Sequence, residues 1–234
     1  MSRDERSGFL EMLQPDVRHG ILARARIVRA RKGQTLLACG ERSTNVFVVA
    51  EGRFQVVLYS AAGREVSLRE LGEGELFGEL AAIDGEDRSV AVVAASEARL
   101  MAITQADFLA ALRASPEASQ WLLARLARRV RGLTEKVFEL AALNVQSRLY
   151  CELLRMAHGM ALNGLDAVDP APTHNELANR IGSHREAVTR EMKALADDGI
   201  IRSGRRRLEF LDVAKLEDRV GRALQRGPNL AVDT

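Results

Sequence analysis

Short apolar runs separated by glycines fill residues 28–103 of the chain. Three of these runs, at residues 46–49, 54–59 and 90–94, are rich in valine and aromatic residues, which favour strands. Glycines recur between the runs at intervals typical of turns. Because short strands with frequent turns are typical of small β-barrels and rolls, this pattern predicts a β-roll.

The pattern changes to a helical one at about Pro116 and stays so for more than 25 residues. Apolar residues then repeat every seven positions in two series, which fill the a and d positions of a heptad. The a series is Leu123, Val130 and Val137, and the d series is Leu126, Leu133 and Leu140. This seam predicts a two-stranded coiled coil and hence a homodimer. The alternative is a helix that packs only on its own domain. Asn144 takes the next a position, where a polar residue indicates the end of the seam or a hinge.

The last third of the chain contains two short helical patterns separated by Gly182-Ser183, at residues 175–181 and 184–197. Two helices joined by a tight turn with glycine are typical of a helix-turn-helix. Thr173 and Glu176 have the spacing of a capping box at the start of the first helix. The flanking patterns predict a helix over 145–157, a loop over 163–172, a two-stranded wing at 200–203 and 207–211, and a final helix over 213–225.

Composition narrows the function classes. The 234 residues carry a net charge of only +2, so any nucleic-acid-binding surface must be a local one. The two cysteines, Cys39 and Cys151, lie far apart in sequence and indicate reduced thiols. The N-terminus is too charged for a signal peptide, and no apolar run approaches the roughly 18 residues of a membrane span, so we expect a cytoplasmic protein. The four histidines show no metal-ligand spacing and no nucleophile–base arrangement is visible, so we expect neither a metal nor catalytic residues.

A second motif carries candidate binding chemistry. Gly78-Glu79-Leu80 is followed, nine residues after Glu79, by Arg88-Ser89. Glycine permits close backbone approach to a ligand, and a carboxylate suits a ribose hydroxyl. An arginine fork with a neighbouring serine hydroxyl suits a phosphodiester. The alternative is a salt bridge between Glu79 and Arg88 on a β-turn.

Phe77-Gly-Glu-Leu-Ala with Arg88-Ser-Val resembles the phosphate-binding cassette of the cyclic AMP receptor protein family, the CRP/FNR-type regulators, in its cyclic-nucleotide-binding branch. The resemblance covers nearly the whole chain. It implies an α+β fold with an N-terminal double-stranded β-helix (a β-roll) over residues 1–115. It also implies a dimerisation helix and hinge over 116–144 and a winged helix-turn-helix over 145–234. The resemblance further implies that Glu79 binds the ribose 2′-hydroxyl, and that Arg88 and Ser89 hold the cyclic phosphate.

The same resemblance implies that the base is recognised from the long helix. The family pattern of two hydroxyl residues followed by Glu-Lys-Val appears here as Leu133-Thr134-Glu-Lys-Val. Leu133 departs from the pattern and puts one adenine contact in doubt, so cyclic AMP and cyclic GMP are both candidate ligands. Thr134 occupies an e position, from which a side chain can reach the partner subunit's pocket.

The second helix of the helix-turn-helix carries the candidate DNA contacts. Arg185, Glu186, Thr189 and Arg190 share one polar face, with His184 just before them. Arginine matches the O6 and N7 of guanine, and glutamate accepts from cytosine N4. The segment resembles the family's Arg-Glu-Thr-Val-x-Arg pattern, with Ala187 in place of the threonine. The alternative is a solvated helix with an ion pair between Glu186 and Arg190.

The wing adds local positive charge where DNA phosphates would lie, through Arg205 and Arg206 and their neighbours Arg202 and Arg207. Taken together, the patterns predict a homodimeric regulator that binds palindromic DNA under control of cyclic AMP or cyclic GMP, with RNA polymerase as a candidate partner. Two alternatives remain. One is a regulator of this fold gated by another small molecule, and the other is a nucleotide-binding module whose helix-turn-helix mainly contacts protein.

Overall fold

A computed structural model describes residues 8–59, 65–162 and 164–225. The chain divides into two compact units with the boundary between Arg129 and Val130, inside the long helix. The predicted domain boundaries, after residues 115 and 144, stay predictions.

The first unit is a β-roll with flanking helices. In the described residues of this unit, eight strands form two antiparallel four-stranded sheets, in the orders β1-β8-β3-β6 and β2-β7-β4-β5. A short 3₁₀ helix at Phe9–Met12 precedes them. The elements are α1 (Pro15–Arg24), β1 (Arg26–Ala30), β2 (Thr35–Leu37), β3 (Val46–Glu51), β4 (Phe54–Tyr59), β5 (Glu65–Leu71), β6 (Leu76–Phe77), α2 (Glu79–Asp84), β7 (Ala91–Ala94), β8 (Ala98–Ile103) and α3 (Gln105–Ala114).

Strand β3 lies between two hydrophobic core clusters of the first unit. Its residues are buried on both faces, because Phe47 and Val49 contribute to the core between the sheets. Val46 and Val48 contribute to a second core with the 3₁₀ helix, α1, α3 and the start of the long helix that follows α3. A strand buried on both sides reads as a continuous apolar run in the sequence, as this one does. The predicted β-roll is therefore confirmed.

Helix α4 (Pro116–Ala142) has 27 residues and begins at the predicted position. It ends before Leu143 and Asn144, after which α5 (Val145–Leu162) starts. The Asn144 side chain accepts a hydrogen bond from the Ser147 N–H at 2.8 Å and thereby caps α5. Helix α4 thus ends two residues before Asn144, while the end of the seam or a hinge at Asn144 stays a prediction. Helix α5 runs five residues beyond the predicted end at 157.

The remaining elements of the second unit are α6 (His174–Arg180), α7 (Arg185–Asp197), β9 (Ile201–Gly204), β10 (Arg207–Phe210) and α8 (Val213–Gln225). Thr173 and Glu176 form the predicted capping box of α6. Strands β9 and β10 pair as an antiparallel wing. One core cluster joins α5, α6, α7, the wing and α8, through residues such as Leu149, Val188 and Leu216. In the parts of the chain that the structure describes, no helix is long and apolar enough to cross a membrane.

Candidate nucleotide pocket and DNA interface

The predicted cassette lies where β6 meets α2. Gly78 connects them with φ +81°, a left-handed conformation that favours glycine. A Cβ atom at this position would lie 2.9 Å from Arg88 Nη1 and 3.0 Å from the Asn45 carbonyl oxygen. A glycine is therefore required at position 78, both by the backbone conformation and by the close approach of Arg88.

The side chain of Arg88 is buried next to Gly78. Its guanidinium donates from Nη1 to the Gly78 carbonyl at 2.8 Å, from Nη2 to the Asn45 carbonyl at 2.7 Å and from Nε to Ser43 Oγ at 2.9 Å. Burial lowers the pKa of Arg88, while Glu41 and Glu79 act to raise it. A guanidinium has five N–H groups, so two remain for an anionic ligand after these three bonds.

Glu79, the first residue of α2, is only 2% exposed. Its Oε1 accepts a hydrogen bond from Nη1 of Arg129, on α4, at 2.7 Å. A simple Glu79–Arg88 salt bridge, the alternative considered above, is not found among the described residues. A buried carboxylate needs a partner, but the sequence gives no sign that the partner lies 50 positions away.

A cluster of charged groups surrounds this ion pair. Arg69 Nη1 and Arg125 Nη2 each lie 3.2 Å from the same oxygen of Glu75. We call Arg69, Arg125, Arg129, Glu75 and Glu79 the arginine cluster. Burial, and next the nearby charge of Arg129, lower the pKa of Arg69 to about 10. Three cations to two carboxylates leave an excess of positive charge next to the cassette.

The other residues predicted to contact the nucleotide are either exposed or lie in the second unit. Leu80 and Ser89 are exposed beside Glu79 and Arg88. Leu133 and Thr134 lie in the second unit, where Thr134 Oγ1 donates to the Val130 carbonyl of its own helix at 3.0 Å. Thr134 also lines a cavity of about 520 Å³ together with residues of α5 and α8. The contact of Leu133 and Thr134 with a base stays a prediction.

The predicted seam is an exposed apolar stripe on α4. Leu123, Val130, Leu133, Val137 and Leu140 are each between 46% and 67% exposed. Leu126 differs, because it is partly buried against the core of the first unit. Single exposed leucines are ordinary on protein surfaces, and the role of this series as a dimer seam stays a prediction.

The predicted DNA-reading face is exposed on α7. His184 immediately precedes the helix, and Arg185, Glu186, Thr189 and Arg190 all point to solvent, while Val188 is buried. Arg190 pairs with Glu191, with Nε and Oε1 3.4 Å apart, rather than with Glu186 as the alternative proposed. Thr189 Oγ1 donates to the Arg185 carbonyl at 2.9 Å and lies 2.8 Å from His174 Nδ1.

The wing arginines divide into two pairs. Arg202 and Arg207 both bind the Glu209 carboxylate, at 2.8 and 2.9 Å. Arg205 and Arg206 form the exposed turn between the strands, and Arg206 has φ +59°. The wing's uncompensated positive charge is therefore at its tip and less extensive than the four arginines in the sequence indicate.

Comparison with known proteins identifies a nucleotide-binding domain and a helix-turn-helix domain in the chain. Residues 27–115 match the family model of the cyclic nucleotide-binding domain, and residues 147–219 match that of the Crp-like helix-turn-helix domain. The Cyclic AMP receptor protein of Thermus thermophilus is 32% identical over 187 residues, which cover 80% of this chain and 84% of that protein. The CRP-like cAMP-activated global transcriptional regulator of Mycobacterium tuberculosis is 27% identical, over 84% of this chain and 89% of that protein. The crystal structure of Thermus thermophilus Catabolite Activator Protein covers 92% of this chain and 99% of its own with 29% identity and a TM-score of 0.51.

A cyclic-nucleotide-binding domain followed by a Crp-like helix-turn-helix defines a DNA-binding transcription regulator rather than an enzyme. The chain belongs to the cyclic AMP receptor protein family.

Proposed function

We propose that the protein is a homodimeric regulator that binds palindromic DNA when cyclic AMP or cyclic GMP occupies the cassette. The observation that carries this proposal is the burial of Glu79 and Arg88 next to Gly78, each with unused hydrogen-bonding capacity. Buried ionised groups are costly unless they are paired. A cyclic nucleotide supplies a phosphate for one of them and a hydroxyl for the other.

Each cassette group can take its ligand atom without losing its present partners. Arg88 has two N–H groups left for the cyclic phosphate, and the Ser89 hydroxyl beside it is exposed. Glu79 receives Arg129 on Oε1, which leaves Oε2 to accept from the ribose 2′-hydroxyl. These unused positions support binding of this ligand class without rearrangement of the cassette.

The ion pair between Glu79 and Arg129 also connects the cassette to the long helix. The carboxylate sits on α2 in the cassette, while Arg129 belongs to α4 and immediately precedes Val130 of the stripe. A ribose hydroxyl on the other oxygen of Glu79 would change the strength of this ion pair. A ligand shifts such an equilibrium only by its differential affinity for the two states, and we propose that this contact provides part of that difference.

We propose that the α4 stripe forms the dimer seam, because burying apolar side chains against a second copy removes them from water. Thr134 flanks the stripe and would reach the base bound by the partner subunit. Within this scheme residues 1–115 form the nucleotide-binding domain, 116–144 the dimerisation helix and hinge, and 145–234 the DNA-binding domain.

A two-fold dimer presents two copies of α7, which enter successive major grooves about 34–36 Å apart. The target would therefore be a palindrome. Arg185 and Arg190 would contact guanines and Glu186 the cytosine of a neighbouring pair, and the methyl group of Thr189 suits thymine. Arg205 and Arg206 at the wing tip would contact phosphates.

Calorimetry of the purified protein with cyclic AMP and with cyclic GMP tests the ligand class. Binding of at least one of them, lost in Arg88→Leu, supports the proposal, and no binding of either contradicts it. DNA titrations at several salt concentrations separate a DNA-reading helix-turn-helix from one that mainly contacts protein, because only the former predicts a steep salt dependence.

A further inference from the structure

Two side chains from different helices meet at the predicted DNA-reading face. Thr189 is an exposed residue of α7, and its Oγ1 lies 2.8 Å from Nδ1 of His174. His174 is the first residue of α6 and is half-buried. The capping box of Thr173 and Glu176 fixes the backbone at this end of α6, so the start of the helix determines where the imidazole lies.

The direction of this hydrogen bond follows from the other partner of the Thr189 hydroxyl. The hydroxyl has one hydrogen atom, and it donates that atom to the Arg185 carbonyl at 2.9 Å, an oxygen that can only accept. The Thr189 oxygen must therefore accept from His174, and Nδ1 of the imidazole must carry a hydrogen atom. His174 is thus a donor that holds the Thr189 hydroxyl from a neighbouring helix.

This second hydrogen bond restricts the rotamer of Thr189. A threonine in a helix divides between two χ1 rotamers, because its oxygen can reach a carbonyl of the preceding turn in both. The donor of His174 favours the rotamer in which Oγ1 meets the imidazole and the Arg185 carbonyl together. Because the methyl group is bonded to the same Cβ atom as the hydroxyl, fixing the hydroxyl also fixes the methyl group.

Threonine can contact a base in two ways, and this arrangement selects one of them. A free hydroxyl can hydrogen-bond to a base edge, whereas the methyl group makes an apolar contact with the 5-methyl group of thymine. In Thr189 the O–H donor is already used by Arg185, and the oxygen accepts from His174. We propose that His174 is a positioning residue for DNA recognition, which holds the Thr189 hydroxyl so that Thr189 contacts thymine through its methyl group. This inference rests on the proposed function, in which α7 enters the major groove.

Replacing thymine by uracil in the DNA removes only the 5-methyl group and therefore measures this contact. The full-length protein, at saturating cyclic AMP or cyclic GMP, is titrated with its selected palindrome, in which each thymine in turn is replaced by deoxyuridine in both half-sites. Burying one CH₂-sized group changes an affinity about fourfold, so a symmetric pair of such contacts should give a penalty of about 10–20-fold. Thr189→Ser keeps the hydroxyl without the methyl group. We expect it to reduce the penalty to within about threefold at one thymine position, which identifies the contacted base.

Two amide substitutions of His174 test the position of the donor. In asparagine the amide nitrogen is bonded to Cγ, as Nδ1 is in histidine, whereas in glutamine it lies one atom further along the side chain. His174→Asn should therefore keep the deoxyuridine penalty at the identified thymine within about twofold of wild type, and His174→Gln should reduce it to that of Thr189→Ser. The matched control is His158→Ala, which removes the α5 histidine that lies 3.1 Å from Glu217 and should leave the penalty unchanged.

Equal deoxyuridine penalties in His174→Asn and His174→Gln would overturn the role of the Nδ1 donor. A palindrome in which no thymine has a penalty that depends on Thr189 would overturn the methyl contact. Both results leave the proposed function intact, because the wild-type protein then still binds the palindrome. If the wild-type protein binds no palindrome at saturating nucleotide, the proposed function fails and the inference with it.

Discussion

The proposed contact between Glu79 and the ribose can be isolated by pairing Glu79→Gln with a ligand that lacks the 2′-hydroxyl. In the proposed complex the hydroxyl donates to a carboxylate that is 2% exposed, and a hydrogen bond to such a charged group contributes about 1.5–3 kcal/mol. Removing the hydroxyl should therefore weaken binding about 10–150-fold. In Glu79→Gln the amide oxygen serves Arg129, which lies 2.7 Å from Oε1. The hydroxyl then meets only a neutral amide, and its removal should cost about 1 kcal/mol or less.

Calorimetry of wild type and variant with a cyclic nucleotide and its 2′-deoxy analogue completes a double-mutant cycle. The cycle cancels the effect of the substitution on Arg129, because that effect is present with both ligands. Glu41→Gln is the matched control. It removes the other carboxylate that acts on Arg88, and should keep the full wild-type penalty for the deoxy ligand. An equal penalty in wild type and Glu79→Gln would show that Glu79 does not bind the hydroxyl.

Three further substitutions test the other proposed contacts. Arg88→Lys should weaken cyclic-nucleotide binding at least tenfold, because an ammonium cannot hold Gly78, Asn45, Ser43 and a phosphate together. An affinity within twofold of wild type, measured by calorimetry, would contradict this. Val137→Glu should convert the dimer to a monomer in sedimentation equilibrium by placing an unpaired charge in the seam, so an unchanged mass would locate the interface elsewhere. Arg185→Ala should lose about 1–3 kcal/mol of discrimination between the best site and one with its guanine replaced, measured by titration of labelled DNA. Unaltered discrimination would remove Arg185 from base recognition.

Features that depend on neighbours in sequence were predictable here. The a and d series of α4 and the capping box of Thr173 and Glu176 both arise from residues within a few positions of each other. Local hydrogen bonds and helical periodicity act over that range, so the pattern contains the information.

Contacts between distant segments were not predictable in the same way. The Glu79–Arg129 ion pair joins residues 50 positions apart, and nothing in either segment marks the other as its partner. The sequence motif also gave no sign that Arg88 would be held by two backbone carbonyls, because carbonyl positions follow from the folded loop at Asn45. The arginine cluster was missed for this reason, as its members come from β5, the turn that follows it, α2 and α4.

The wing is an intermediate case. The pairing of Glu209 with Arg202 across the hairpin follows from the strand register, which places these two residues opposite each other. Register depends on the turn. The predicted strands, 200–203 and 207–211, leave residues 204–206 as the turn, whereas in the structure Gly204 pairs with Arg207 and the turn is one residue shorter. The predicted turn would have placed Ile201 rather than Arg202 opposite Glu209, so the compensation of the wing's positive charge by Glu209 was missed.

The central claim, that nucleotide binding controls DNA binding, is tested most directly by one titration. A palindromic site selected from a random pool is titrated with the protein in the absence of nucleotide and at saturating cyclic GMP or cyclic AMP. The account predicts that nucleotide tightens binding to the palindrome by a coupling of about 1–3 kcal/mol, roughly 5–150-fold, with little effect on a scrambled site. Equal affinity for the palindrome with and without nucleotide, in a protein shown by calorimetry to bind that nucleotide, would contradict it.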